Sequence, residues 1–171
     1  AMSIADLLAL EPGAAEKFQN VWLRYTESLG SPALRKEICN LYATMQPEDI
    51  LVHTGAGEAI YLFMYAAFKK GDHVIVHSPG YQSLAEVARA VGCDVSPWRA
   101  REENGWALDL DELRHLVRTN TKGIVINTPH NPTGYLMSRA DFEAVNKFAQ
   151  ETNLLLFLDE VYRESEYDSA D

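Results

Sequence analysis

The chain has 171 residues, 47% of them apolar and 23% charged, with a formal net charge of −10. That length suits one domain with its own core, and the acidic balance argues against a nucleic-acid surface, which needs clustered Lys and Arg. No apolar run approaches the roughly 20 residues of a membrane helix, and no basic start with a long apolar stretch marks a secretory signal, so a cytoplasmic protein with no membrane partner is expected.

In chain order, residues 1–24 read as an N-terminal segment, and Ala1 ahead of Met2 reads as a remnant of expression. Pro32 to Met45 (PALRKEICNLYATM) has apolar positions at helical spacing, with Ser31 placed to cap. Ile50 to His53 is a short β-like run, and Gly57 to Phe68 reads as a buried helix closed by Gly71. His73 to His77 (HVIVH) predicts a strand, Gln82 to Val91 a helix, Asp94 to Trp98 a short strand and Leu110 to Val117 a helix. Gly123 to Asn127 (GIVIN) follows as a strand. Ser138 then opens a helix running to about Glu151, with Asp141 three residues after the capping serine, and Leu154 to Leu158 predicts a last strand. Strands alternating with helices imply βαβ units and a mostly parallel sheet, and strands apolar on both faces imply helices on both sides. The tail from Glu164 to Asp171 is acidic and patternless. Cys39 and Cys93 share no metal-like or redox-like spacing and read as two reduced core thiols. The five histidines show no metal-ligand spacing either, so no metal is expected.

Four short sequences carry chemistry. Gly55-Ala56-Gly57-Glu58-Ala59 lies between an apolar run and a helix. Small residues there let an anion approach the backbone, and the helix start offers free N–H groups and a positive dipole end, which suits a phosphate. Taken alone, such glycines usually serve geometry. Ser78-Pro79-Gly80-Tyr81 follows HVIVH; an aromatic at a sheet edge can stack on a flat ring or simply close a turn. Asn131, in Thr128-Pro129-His130-Asn131-Pro132-Thr133-Gly134, is one amide in a loop stiffened by proline and glycine, and by itself is equally a plain turn. His130 reads as a loop residue rather than a base. Asp159 ends the apolar run LLLFLD, where an ionised carboxylate needs a partner unless it merely faces solvent. A protonated ring nitrogen about 4 Å away would supply roughly 4 kcal/mol of attraction. Tyr162, three residues on, can offer its hydroxyl to the same place. What strengthens the four is their joint order, since each follows a successive apolar run and could line the carboxyl edge of one sheet, where open α/β sheets bind ligands. A flat, phosphorylated, nitrogen-containing ring would use all of them.

In these motifs the chain resembles the class I/II aminotransferases that use pyridoxal 5'-phosphate (PLP), of fold type I in the aspartate aminotransferase superfamily. The resemblance implies an α/β fold, with residues 25–171 forming the first part of the PLP-binding large domain, a mostly parallel sheet flanked by helices. It implies that Gly55, Ala56 and Gly57 cradle the phosphate, that Tyr81 stacks on the pyridine ring, and that Asn131 and Tyr162 meet the ring's 3′-oxygen. It makes Asp159 the carboxylate that keeps the ring nitrogen protonated. From Tyr25 to Arg35 (YTESLGSPALR) it implies a homodimer in which Tyr25 reaches the phosphate held by a neighbouring subunit, with Gly30 bordering the substrate. Asn127 would support the loop of Asn131. The substrates implied are an amino acid and a 2-keto acid. Glu102-Glu103-Asn104-Gly105-Trp106 resembles the capreomycidine-synthase-like subgroup in particular.

The chain departs from the family pattern in lacking the Schiff-base lysine, the phosphate-binding arginine that follows it and the small C-terminal domain with its carboxylate-binding arginine. The Schiff-base lysine stands in a Ser-x-x-Lys context beyond the Asp159 motif in that family, and Lys17, Lys36, Lys69, Lys70, Lys122 and Lys147 have no such context. No catalytic residue is therefore assigned within these residues, and the expectation is a fragment, inactive alone, without the small C-terminal domain. Another fold-type-I PLP enzyme (a cyclase, C–S lyase or decarboxylase) and a non-catalytic remnant of the fold remain as alternatives.

Overall fold

The computed structural model describes residues 2–25 and 27–167; Ala1, Thr26 of the Tyr25–Arg35 segment, and the end of the acidic tail from residue 168 lie outside the described residues. The chain falls into two compact units, Ala1–Val52 and His53–Asp171.

Among the described residues the first unit holds three short α-helices and a 3-10 turn at Pro47–Asp49. α1 (Ile4–Leu8) begins at Ser3, whose hydroxyl accepts the Asp6 N–H while the Asp6 carboxylate accepts the Ser3 N–H. α2 (Ala14–Gln19) follows, and neither helix has a counterpart in the sequence reading. α3 covers only Pro32–Cys39 of the span predicted to reach Met45. Its end tightens through bonds from the Asn40, Leu41 and Tyr42 amides to carbonyls three residues back, which uses the terminal carbonyls without adding a turn of α-helix. Ser31 makes no side-chain cap; the fixed φ of Pro32 at the first helical position starts the helix instead. The β-like run at Ile50 forms no strand; the Ile50 N–H donates to Pro47 C=O at 3.4 Å and the Val52 N–H to Leu29 C=O at 3.0 Å.

The second unit is built on four parallel strands: β1 (His73–Ser78), β2 (Asp94–Arg99), β3 (Thr121–Asn127) and β4 (Leu155–Asp159), in the order β2-β1-β3-β4. Its helices are α4 (Ala56–Ala67), α5 (Gln82–Val91), α6 (Leu110–Leu116) and α7 (Arg139–Glu151). One apolar cluster joins α4 and α5 to the sheet through Ile60, Met64, Leu84, Ala88, Val74 and Val125. The other joins α6 and α7 through Leu113, Val145 and Ala149 to Ile75, Ile124 and Trp98. Successive strand residues thus feed opposite clusters, as the alternation of side chains along a strand requires. The central strands are apolar on both faces as expected, whereas Leu155 on β4 is 48% exposed. α7 starts as its sequence predicts, with the Ser138 hydroxyl accepting the Asp141 N–H.

Two helix features differ from expectation. α4 buries only Ile60 and Met64, one turn apart, and leaves Tyr61, Leu62 and Tyr65 exposed, because a helix lying on a sheet covers one stripe of its surface. Gly71 does not close α4, which ends at Ala67; with φ of +89° it turns the chain into β1 and donates its N–H to Gly92 C=O. Cys93 is buried and Cys39 partly so, both as free thiols.

Gly123 is fixed by packing. A Cβ there would sit 2.6 Å from Cζ of Phe68 and 3.3 Å from Leu155 C=O. Gly123→Ala should therefore destabilise the fold by about 1–3 kcal/mol, read as a lower urea midpoint, and Phe68→Leu in the same chain should recover part of the loss.

Candidate functional site

Strand order decides where the site lies. The chain leaves β1 for β2 on one side, then crosses back to place β3 on the other. Loops leaving the carboxyl ends of β1 and β3 therefore diverge, and the crevice between them is the ligand position favoured in open α/β sheets. A cavity of about 250 Å³ opens there, lined by Ala56, Gly57, Tyr81, Asn127, Asn131, Asp159, Val161 and Tyr162. Seven of the ten residues given a role from the sequence thus share one cavity. Gly55 adjoins it as the residue preceding α4, while Tyr25 and Gly30 belong to the first unit.

Each lining residue is held by its element. Gly55 has an extended backbone and offers no side-chain cap, so the first-turn N–H groups of Ala56 and Gly57 have no partner inside the helix. A Cβ at Gly55 or Gly57 would meet nothing within 4 Å. The fold itself does not demand glycine at either position; the open space at a helix start suits an anion. Glu58 reaches back so that its carboxylate accepts the Thr54 N–H at 2.6 Å, which holds the carboxyl below the usual carboxylate range. Tyr81 immediately precedes α5 and is half-exposed. The loop before it is tight, since a Cβ on Gly80 would come within 2.9 Å of His77 C=O.

Asn127, 1% exposed, ties the other wall together. Its Nδ2 donates to Asp159 C=O at 2.8 Å and its Oδ1 accepts the Asn131 N–H at 2.8 Å. Asp159 pairs with Asn127 in the β3–β4 register and is 8% exposed. Its Oδ1 accepts the Val161 N–H at 3.2 Å, and it forms no ion pair with a described basic residue. A buried acid lining a cavity without a cation of its own fits a cationic ring nitrogen as guest. Amide donors at one side, aromatic rings, an amide and an acid make a donor set that fits a phosphorylated pyridine. Among the described residues no group of three or more His, Cys, Asp or Glu is placed to hold a metal, and no helix is long and apolar enough to cross a membrane.

In the first unit, Tyr25 is fully exposed. Gly30 has φ of +97°, and a Cβ there would overlap Val52 Cβ at 2.5 Å, so glycine is required at this position by the unit's own packing. Its C=O accepts Arg35 Nε at 3.2 Å.

Residues 9–171 match the family Aminotransferase class I and II. The chain belongs to that family. It is 29% identical over 163 residues to an aspartate aminotransferase of Bacillus sp. (strain YM-2), a match covering 92% of this chain and 42% of that protein. It is 33% identical over 158 residues to a capreomycidine synthase of Streptomyces vinaceus, covering 91% of this chain and 41% of the other. In structure it is similar to a PLP-dependent aminotransferase from Streptococcus suis 89-1591, with a TM-score of 0.92 and 38% identity, over 100% of this chain and 46% of that one. This aminotransferase-family chain therefore spans less than half the length of these relatives.

Sequence reasoning missed one pair of residues in the aminotransferase chain. His77, at the end of β1, and His130, in the loop after β3, are each 3% exposed and stack across the crevice with ring centroids 3.7 Å apart and planes 15° apart. His130 Nδ1 shares a 2.7 Å hydrogen bond with the Thr133 hydroxyl. Neither ring nitrogen of His77, nor Nε2 of His130, has a hydrogen-bond partner among the described residues. Burial pushes the His77 imidazole down to about 3, helped by His130 beside it and opposed in part by the Asn127 backbone; burial lowers His130 as well. The available signal was a histidine closing an otherwise apolar strand.

The sign of the pH effect follows. Above pH 6.5 His77 is neutral whether the chain is folded or not, and its contribution is complete. As pH falls from 6.5 through about 3, the unfolded chain binds the proton first and stability is lost. Urea unfolding at pH 4.5 should show about 2–3 kcal/mol less stability from this residue than at pH 7.5, and His77→Phe should flatten that slope.

Proposed function

We propose that the chain is part of a cytoplasmic, homodimeric PLP-dependent aminotransferase that moves an amino group between an amino acid and a 2-keto acid. The observation that carries this reading is the convergence, in one cavity at the strand-order switch, of helix-start amides and a buried acid with no cation of its own. Membership of the aminotransferase family and the relatives' names support it. Residues 25–171 act as the first part of the large cofactor-binding domain.

In this reading the amides at Gly55, Ala56 and Gly57 bind the cofactor phosphate, and Tyr81 stacks on the pyridine ring. Asn131 and the Tyr162 hydroxyl orient the ring through its 3′-oxygen. Asp159 holds the proton on the ring nitrogen. When bound, PLP supplies an electron sink for negative charge at the substrate Cα. Asn127 keeps Asn131 and Asp159 in register, so that the contact on the ring's oxygen and the contact on its nitrogen are set by one side chain. Tyr25, which makes no use of its own unit's interior, extends to the phosphate of the neighbouring subunit, and Gly30 borders the substrate.

A second reading, another PLP reaction on the same fold, is favoured by the likeness to capreomycidine synthase. The ring-holding residues serve both reactions, and product analysis of the assembled enzyme with amino acid and keto acid separates them.

Asp159→Asn in the assembled enzyme should lower amino transfer by roughly a hundredfold or more, the scale of losing one preorganised electrostatic contact, while circular dichroism stays unchanged. Full activity in that variant would rule out the role of Asp159. Tyr81→Ala should weaken retention of pyridoxamine 5'-phosphate by about tenfold, measured by equilibrium dialysis; unchanged retention would remove the stacking role.

A further inference from the structure

We infer that the stacked imidazoles of His77 and His130 are positioning residues: while both are neutral they hold the Tyr81 loop and the Asn131 loop together across the crevice, and protonation of either releases the two loops and loosens the ring site. The link to a ring rests on the PLP reading above; the link between the loops does not.

Three features of the geometry point this way. First, the stack bridges the two strand ends that the topology separates. His77 closes β1, and the tight turn at Gly80 carries the chain from His77 C=O to Tyr81 within four residues. His130 directly precedes Asn131, and its ring is fixed within its own loop by Thr133, its N–H by Tyr135 C=O at 2.9 Å and its C=O by the Gly134 N–H at 2.8 Å. A displacement of one ring is therefore passed to a residue lining the cavity.

Second, the contact is poor as core packing. Three buried ring nitrogens have no partner among the described residues, and buried polar atoms left unpaired are costly. A phenyl ring at 77 would fill the same flat space without that cost. Stability alone does not account for histidine at both positions.

Third, the surroundings offer no counter-charge. Around His77 the ionisable groups are Glu86 and Arg89 of α5, which pair with each other, and Tyr81. Around His130 they are Tyr162, Glu166 and Tyr167, with Tyr135 in its own loop. Asp159 lies on the facing wall of the ring cavity. None of these forms an ion pair with either imidazole; the backbone at Asn127 and at Pro79 favours the protonated rings in part, but burial outweighs it, and a proton on one ring would be held 3.7 Å from the other ring. Once the loops part, the imidazoles regain ordinary solvation and take up protons near pH 6.5. Each pH unit below that value then favours the open arrangement by about tenfold for each imidazole that takes up a proton.

Amide hydrogen exchange in the full chain tests this directly. The Asn131 amide, bonded to Asn127 Oδ1, reports the loop, and the Val125 amide in β3 reports global unfolding. Between pH 7.5 and 5 the protection of Asn131, corrected for intrinsic rates, should fall by up to about a hundredfold per unit below 6.5, both imidazoles taking up a proton, and stay well under that of Val125. In His77→Phe, which keeps a flat ring and leaves only His130 to take up a proton, the fall should shrink to about tenfold per unit. Asn131 protection equal to that of Val125 at every pH, or the same slope in His77→Phe, would overturn the inference.

Binding provides the second readout. At pH 7.5 His77→Phe should bind pyridoxamine 5'-phosphate within about twofold of the unaltered chain, whereas His77→Ala should bind it about tenfold more weakly. Inorganic phosphate, which needs only the start of α4, should bind all three alike. Equal weakening of both probes in His77→Ala would show general disruption and count against positioning. Failure of the unaltered chain to bind pyridoxamine 5'-phosphate would instead remove the cofactor reading, and the exchange data would still decide whether the stack joins the loops.

Discussion

A parallel sheet presents two apolar faces and is stable only when both are covered. That requirement sends α4 and α5 to one face and α6 and α7 to the other. The order β2-β1-β3-β4 is compatible with it and, once adopted, forces consecutive connections to opposite sides of β1. Everything at the site follows from that divergence. The helix start at Ala56, the loop of Tyr81, the loop of Asn131 and the end of β4 meet around one opening because burial has already fixed the strands beneath them.

Within that frame a single buried amide sets much of the finer geometry. Asn127 spends its two functional atoms on the backbones of Asp159 and Asn131, so neither Asn nor Asp depends on its own loop for position. Leaving either atom of Asn127 unpaired in so buried a place would be expensive. The loop and the strand are thereby obliged to form together. The same economy appears on the α6 side, where fully buried Trp98 donates its indole N–H to Asp109 C=O at 2.8 Å, the residue that caps α6.

Much of this was legible in the sequence, for physical reasons. Apolar runs such as HVIVH and GIVIN have no reading but a strand buried on both faces, and Ser138 with Asp141 marks a helix start by its own hydrogen bonds. The cavity residues were legible because each closes or follows such a run. What escaped depended on tertiary context. Ser31 looked like a cap, but Pro32 made one unnecessary; Gly71 looked like a helix end, but serves the turn into β1. α4 read as buried because its residues are apolar all round, and sequence periodicity does not say how many faces a sheet will cover. The stack of His77 on His130 joins residues 53 apart in number, one in β1 and one in the loop after β3, a pairing that no local pattern encodes.

β1 carries a buried histidine at each end, and they are chemically opposite. His73 is fully buried, yet its Nδ1 meets the Thr121 hydroxyl at 2.7 Å and its Nε2 the Ser96 hydroxyl at 2.9 Å, with Arg118 donating to the same Ser96 oxygen at 3.0 Å. His77 has neither bond. The two imidazoles share an element but not a neighbourhood: Arg118 and Asp94 act on His73 and His130 acts on His77, so one strand carries the same side chain in a bonded, charge-flanked setting and in a deeper, bare one.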